Sequence, residues 1–281
     1  MITEKDFLHS LDEVIEKKDK IIVLYSGLWT FINKINFNIK KNNQIPTRVL
    51  ELIEKKVGKK RTLLLPSFSG KEFQRKKFID LNKSIDKENG ILPRIALNRK
   101  YYRTPQPIHS YLAFGNIKKI KKLKLESSWG KYSILEFLSK HNARICNLGL
   151  PWNEGCAYLH RFEEIYNVPW RYHKTFKGKI KKNNKIIGVF YETKFCSPKN
   201  GVLKYDFNPF IKKIKNSKTF KKTKNKKFSF ESIKVSCLDK IGKSFFSKNP
   251  WIIVKNKKQT LYWINKKKDN ELYKSINDKN E

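Results

Sequence analysis

The sequence is short of acids, cysteines and long apolar runs, and each shortage excludes a class of protein. Across 281 residues there are 25 Asp and Glu against 63 Lys and Arg, a formal charge of +38. The four cysteines, Cys146, Cys156, Cys196 and Cys237, form no Cys-x-x-Cys pair and have no histidine at zinc-ligand spacing. Neither a metal site nor a disulfide framework is expected, and reduced, buried thiols are the simpler reading. The longest apolar run, near residues 21–24, falls far short of the ~20 residues of a membrane-spanning helix, and the opening MITEKDFLHSLDEVIEKK has no signal-peptide core. A cytoplasmic protein is expected. Arginine is scarce too, supplying only 9 of the 63 cations. A dedicated phosphate reader leans on arginine's planar fork, so this lysine excess, alongside much Asn, Ile and Phe, points to A+T-rich coding before it points to nucleic acid.

What is present is enough for a folded protein. Hydrophobic residues make up 39% of the chain, with 19 Phe, 12 Tyr and 6 Trp, far too apolar for a disordered polycation. At ~100–200 residues per domain, the length allows one large domain or two small ones. Phe7, Leu8, Leu11, Val14 and Ile15 share one helical face behind Thr3 as N-cap. A strand at 20–25 follows, then a polar loop, then a helix opened by Pro46 and ended by Gly58. The run RTLLLP at 61–66 reads as a strand covered on both faces, the pattern of an α/β sheet. Residues 66–90 lack periodicity and read as a long loop of the kind that carries function. Further on we expect a helix at 91–98, an extended segment at 108–115, a helix at 133–140, a buried strand at 143–149 and a helix over 155–166. Beyond Val168 come strand-like stretches at 170–176 and 185–193, so the C-terminal part is expected to be β-rich. It is also strongly basic: residues 174–281 carry a net +22, and the lysine run at 212–227 reads as a solvated loop or hairpin edge.

The order of several short segments says more than any one of them. IVLYSGLWTF at 22–31, LLLPSFS at 63–69, NGILP at 89–93, RTPQPIHS at 103–110, WGKYS at 129–133 and LHRFE at 159–163 form a succession. It resembles the aminoglycoside 3-N-acetyltransferase family, and more closely that family's relatives in surface-polysaccharide biosynthesis. The resemblance covers residues 20–180. It implies an α/β fold peculiar to the family, with a central, mostly buried sheet flanked by helices. Residues 1–281 would be a single domain, with core 20–180 and a basic, β-rich extension at 181–281. It implies acyl transfer from acetyl-CoA to an amino-sugar amine, with neither a covalent enzyme intermediate nor a metal.

The same resemblance assigns coenzyme contacts to Ser26, Gly27 and Thr30, whose small side chains and backbone N–H groups follow a strand end, and to Ser110, Gly130 and Ser133. A structural turn at the first group and a helix cap at Ser133 are the competing readings. Where the family has His-Pro-x-x-Ser, this chain has Gln106-Pro107-Ile108-His109-Ser110, and an amide is no general base near neutral pH. The replacement candidates are His109 and the pair His160 and Glu163, one helical turn apart, with Glu163 matching the acid of the family's His-x-x-Glu. A partly buried Glu163 with a raised pKa would orient the sugar amine or take its proton. A salt-bridging helix glutamate and a satisfied strand histidine are the plain alternatives. Phe73, Gln74, Arg75, Lys76 and Lys77 in the long loop are candidate substrate contacts.

Charge bears on the substrate. A protein at +38 repels polycationic aminoglycosides unless its cleft is locally acidic, and attracts coenzyme A and nucleotide-linked sugars. The leading expectation is an N-acyltransferase for an amino sugar of surface polysaccharide, partnered by acetyl-CoA and that sugar, with a homodimer left open. Antibiotic acetylation at a 3-amino group is the second reading. A catalytically inactive descendant that binds nucleic acid or other polyanions through its basic surface is the third.

Overall fold

A computed structural model describes residues 1–39, 41–70, 73, 78–106, 108–196 and 203–266. The loop candidates Gln74, Arg75, Lys76 and Lys77, Pro107 and the side chain of Cys196 lie outside the described residues. In chain order the elements run α1 (Glu4–Val14), β1 (Ile21–Ser26), α2 (Ile45–Val57), β2 (Thr62–Pro66), β3 (Phe78–Asp80), α3 (Ile91–Asn98), β4 (Tyr102–Arg103) and β5 (Tyr111–Gly115). They continue with α4 (Lys118–Lys121), α5 (Ile134–Lys140), β6 (Arg144–Leu148), α6 (Trp152–Gly155), α7 (Leu159–Ile165), β7 (Tyr172–Lys182) and β8 (Lys185–Cys196). Last come α8 (Asn208–Lys215), β9 (Lys221–Lys222), β10 (Phe230–Lys234), α9 (Val235–Phe246) and α10 (Lys257–Lys266).

Local chemistry sets the ends of these helices. Thr3 closes a capping box on α1: its hydroxyl accepts from the Asp6 N–H at 3.1 Å while the Asp6 carboxylate accepts from the Thr3 N–H at 3.0 Å. Pro46 sits in the first turn of α2, where no intrahelical N–H is needed, and Gly58 ends that helix at φ 68°.

The central sheet has seven strands in the order β4-β5-β2-β1-β6-β10-β9. Its middle three, β2, β1 and β6, are parallel, with Ile22 opposite both Leu63 and Arg144; the flanking pairs are antiparallel. Alternation along β1 explains its unbroken apolar run. Ile21, Val23 and Tyr25 face one core with Leu64, Tyr111 and Ile145, covered by α5, α7, α8 and α9. Ile22 and Leu24 face the other with Leu63, Leu65 and Leu148, covered by α1, α2 and α3. Burial of each such side chain is worth roughly 1.5–3 kcal/mol before chain entropy is set against it. A second sheet, β3-β7-β8, carries the long β7–β8 hairpin.

One expectation is corrected here. The helix over 155–166 is broken: α6 stops at Gly155 and α7 starts at Leu159, with Cys156–Tyr158 turning between them. Among the described residues of the part from 181 onward, the end of β7, β8, β9 and β10 share the chain with α8, α9 and α10. The lysine run at 212–227 starts in the last turn of α8 and passes through turns on either side of β9, the edge strand paired with β10. Within this part β10 pairs antiparallel with β6, Phe230 opposite Leu148. Close behind the site, Gly242 of α9 lets α7 approach; a Cβ there would stand 2.2 Å from the Phe162 ring. Among the described residues no helix is long and apolar enough to cross a membrane.

Candidate active site

Strands β1, β2 and β6 run parallel and end together at Ser26, Pro66 and Leu148, and ligands of open α/β sheets bind beyond such carboxyl ends. A cavity of about 330 Å³ lies there. Tyr25, Ser26, Pro66, Phe68 and Cys156 are among its lining, and Asp86, Glu88 and Glu154 bring three carboxyl groups to it with His160. No Lys or Arg is among the described residues lining it. The Cys156 thiol is pushed up to about 12 by burial, so it is neutral at physiological pH and unsuited to a covalent relay. Among the described residues no cluster of His, Cys, Asp or Glu is placed to hold a metal ion.

His160 and Glu163 sit one turn apart on α7, as their spacing requires, and their side chains meet: His160 Nδ1 lies 2.6 Å from Glu163 Oε2. Glu163 has no exposed surface. Its Oε2 also accepts from Arg171 at 2.7 Å, and its Oε1 accepts from Trp170 Nε1 at 2.7 Å and from the Tyr205 hydroxyl at 2.6 Å. Burial alone would raise its pKa; the charges of Arg171 and His160 and the hydrogen bonds from His160 and Tyr205 outweigh that and bring it down to about 2. The expectation of a raised pKa is therefore corrected. Glu163 is a fixed anion, filled by donors, and cannot take a proton near neutral pH. What it can do is hold a histidine: an Nδ1–H that donates to a carboxylate fixes the tautomer and leaves Nε2 with its lone pair. Arg171 also lies 3.0 Å from Nδ1, but a nitrogen that carries a hydrogen cannot accept one, so that approach is proximity only. The His160 side chain is 28% exposed, on the cavity wall.

The loop of residues 127–133 forms the next layer. Trp129 packs between the two histidines, 4.4 Å from the His109 ring and 5.7 Å from the His160 ring. Gln106, 2% exposed, donates to the Ser127 carbonyl at 3.0 Å, so it braces this loop. His109 has Nδ1 2.8 Å from the Ser128 hydroxyl and its ring 4.9 Å from Phe68, placing it behind the cavity wall. Arg161 donates to the carbonyls of Trp129 and Gly130 at 2.7 and 3.1 Å.

Of the six residues expected to meet coenzyme, Ser26 lines the cavity. Gly27 donates its N–H to the Leu148 carbonyl at 2.8 Å, and a Cβ there would stand 2.5 Å from Leu150. The Thr30 hydroxyl lies 2.8 Å from the Gly27 carbonyl and 3.1 Å from that of Gly149, tying the two turns together. Ser110, fully buried, accepts from Arg103 Nε at 3.0 Å and donates to the Ser67 carbonyl at 2.6 Å. Gly130 N–H donates to Ser127, and Ser133 caps α5, accepting from the Glu136 N–H at 3.1 Å while donating to the Gly130 carbonyl at 2.6 Å. Phe73, the described member of the loop candidates, is buried with Ile79, Leu81, Ile108 and Ile180.

The aminoglycoside 3-N-acetyltransferase family matches this chain over residues 38–240. The chain belongs to that family. It is an N-acetyltransferase by membership, and the solved structures agree on the fold. The aminoglycoside acetyltransferase AAC(3)-IIb is 17% identical, with 89% of this chain and 98% of that one covered at a TM-score of 0.69. AAC-IIIb in binary complex with CoASH is 15% identical, with 88% and 96% covered at 0.70. Sisomicin-bound AAC-VIa is 12% identical, with 88% and 98% covered at 0.68. At these identities the likeness is one of fold. No curated protein matches the sequence.

For this acetyltransferase, sequence reasoning found the His160–Glu163 pair and missed what surrounds it. Trp170 and Arg171 follow α7 and are reached by its C-terminal turn. Tyr205 comes from a segment fixed by the Asp206 N–H on the Ile253 carbonyl at 2.8 Å. No local pattern ties it to residue 163. The acids of the cavity lie in the long loop and after β6, and no motif singles them out.

Proposed function

We propose that this acetyltransferase moves the acetyl group of acetyl-CoA onto a primary amine of an aminoglycoside, with His160 as the base and Glu163 as the group that holds it. The observation that carries the reading is the cavity itself: a histidine oriented by a buried carboxylate, among Asp86, Glu88 and Glu154 and with no lining Lys or Arg among the described residues. A polyamine is repelled by the +38 surface, and the carboxyl groups on the cavity wall support its entry there. An anionic, nucleotide-linked sugar would meet three carboxylates there instead.

The chemistry follows from the placement. The substrate's ammonium groups sit against the carboxylates, and one neutral amine attacks the thioester carbonyl carbon. The new C–N bond forms, the C–S bond breaks, the amine proton passes to His160 Nε2, and the coenzyme thiolate leaves and is reprotonated. Positioning and one base in a confined site are worth roughly 10²–10⁴-fold from proton transfer alone. Ser26 is the residue of the coenzyme group that reaches the donor; Gly27, Thr30, Gly130 and Ser133 shape the turns around it.

The test is thiol release from acetyl-CoA with two acceptor classes, 2-deoxystreptamine aminoglycosides such as sisomicin and a nucleotide-linked amino sugar. We expect saturable turnover of the aminoglycoside, one acetyl added per molecule by mass spectrometry, and a KM that rises with salt. Turnover confined to the nucleotide-linked sugar would replace this reading with one in surface-polysaccharide biosynthesis.

A further inference from the structure

A second cavity lies at the β4 edge of the central sheet, and its charge is the reverse of the first. About 460 Å³ in volume, it opens between the end of α3, β4, α4 and the turn joining β7 to β8. Lys100, Lys121 and Lys182 reach it from three separate segments, the buried guanidinium of Arg103 stands behind them, and no Asp or Glu is among its described lining.

The walls are built, not incidental. The β7–β8 turn is pinned to the chain after β3, with the Leu81 N–H donating to the Lys181 carbonyl at 2.9 Å and the Asn183 N–H to Asn82 Oδ1 at 2.8 Å. That holds Lys182 over the opening. Tyr101 is fixed by its hydroxyl on Glu54 and by stacking on Phe114 at 5.3 Å. Tyr102 presents a partly buried ring with Lys121 Nζ over one of its faces, 5.7 Å from the centroid. Lys100 is placed at the cavity by its backbone. It follows α3 at φ 58°, its N–H donating to the Leu97 carbonyl at 3.0 Å. Helices commonly close with glycine or asparagine at positive φ, as α5 does with Asn142 at φ 45° and α7 with Asn167 at φ 42°. A side chain there is strained, and this chain keeps a lysine at the mouth of a cationic cavity.

We propose that this cavity is a second ligand site, specific for a nucleoside phosphate, with phosphoryl oxygens on Lys100, Lys121 and Lys182 and the base against Tyr102. Lysine binds phosphate as a point charge, and a tyrosine face accepts any base by stacking. The volume suits one mononucleotide. The site shares no lining residue with the acidic cavity and stands apart from the acetyl-transfer reading.

The experiment is calorimetric titration of ADP into the full chain already saturated with acetyl-CoA, which occupies the coenzyme's own pocket. One equivalent of ADP is expected to bind, and inorganic phosphate to bind at least tenfold more weakly. Lys100→Gly relieves the left-handed strain, so it keeps the fold; it is expected to weaken ADP about tenfold, as is Lys121→Ala, with thioester turnover unchanged in both. Four results overturn the proposal: no ADP binding once acetyl-CoA is present, phosphate binding as tightly as ADP, wild-type affinity in Lys100→Gly, or a single-stranded RNA that binds far more tightly than ADP and increasingly with length.

Discussion

Glu163 accepts four hydrogen bonds, from His160, Arg171, Trp170 and Tyr205, and its charge strengthens each of them. Its pKa of about 2 lies below the ordinary value of 4.5, so the stability it contributes is complete above about pH 4.5 and is lost as the pH falls toward 2. Glu163→Gln leaves Arg171 buried without its carboxylate, a loss of roughly 3–5 kcal/mol at neutral pH. Denaturant melts should show the gap between wild type and this variant narrowing through that acid window; a gap that stays constant with pH would contradict it. Tyr205→Phe, which removes one donor and keeps the charge, gives a milder version of the same comparison. At this scale the pair itself was legible, because positions three apart on a helix share a face. The direction of the pKa was not, because the charge of Arg171, which does most to lower it, lies beyond the end of α7 where helical spacing does not tie it to residue 163.

At the scale of elements, α5 decides between two readings of one serine. Ser133 Oγ is engaged on both sides, by the Glu136 N–H and the Gly130 carbonyl, and has 3% of its surface exposed. Ser133→Ala should cost about 1 kcal/mol of stability, as lost N-caps do, and leave the KM for acetyl-CoA unchanged. A raised KM with unchanged stability would return Ser133 to the coenzyme. The same reasoning shows which elements could be read in advance. Helices α1, α2 and α3 and strands β1, β2 and β6 announce themselves by caps, Pro46, Gly58 and doubly buried apolar runs. α9 did not, because Gly242 takes a core position opposite Phe162 where a pattern search looks for an apolar side chain. The break between α6 and α7 was equally hidden, since Cys156, Tyr158, Leu159 and Phe162 are all buried and read as one amphipathic run.

For the whole molecule, net charge is a fact about the surface and not about the site. The +38 belongs to a surface rich in lysine, whereas the cavity at the carboxyl ends of β1, β2 and β6 gathers Asp86, Glu88 and Glu154. A sum over the sequence cannot show that segregation, because the loop acids and the strand ends they join are brought together only by the fold. The central claim is that His160, held by Glu163, takes the proton of the attacking amine. The measurement that tests it most directly is steady-state acetylation of sisomicin by wild type and His160→Ala at saturating acetyl-CoA. We predict kcat lower by roughly 10²–10⁴-fold in the variant with the aminoglycoside KM within about threefold of wild type. A variant that keeps wild-type kcat would show that the proton goes elsewhere, and the account of this site would fail.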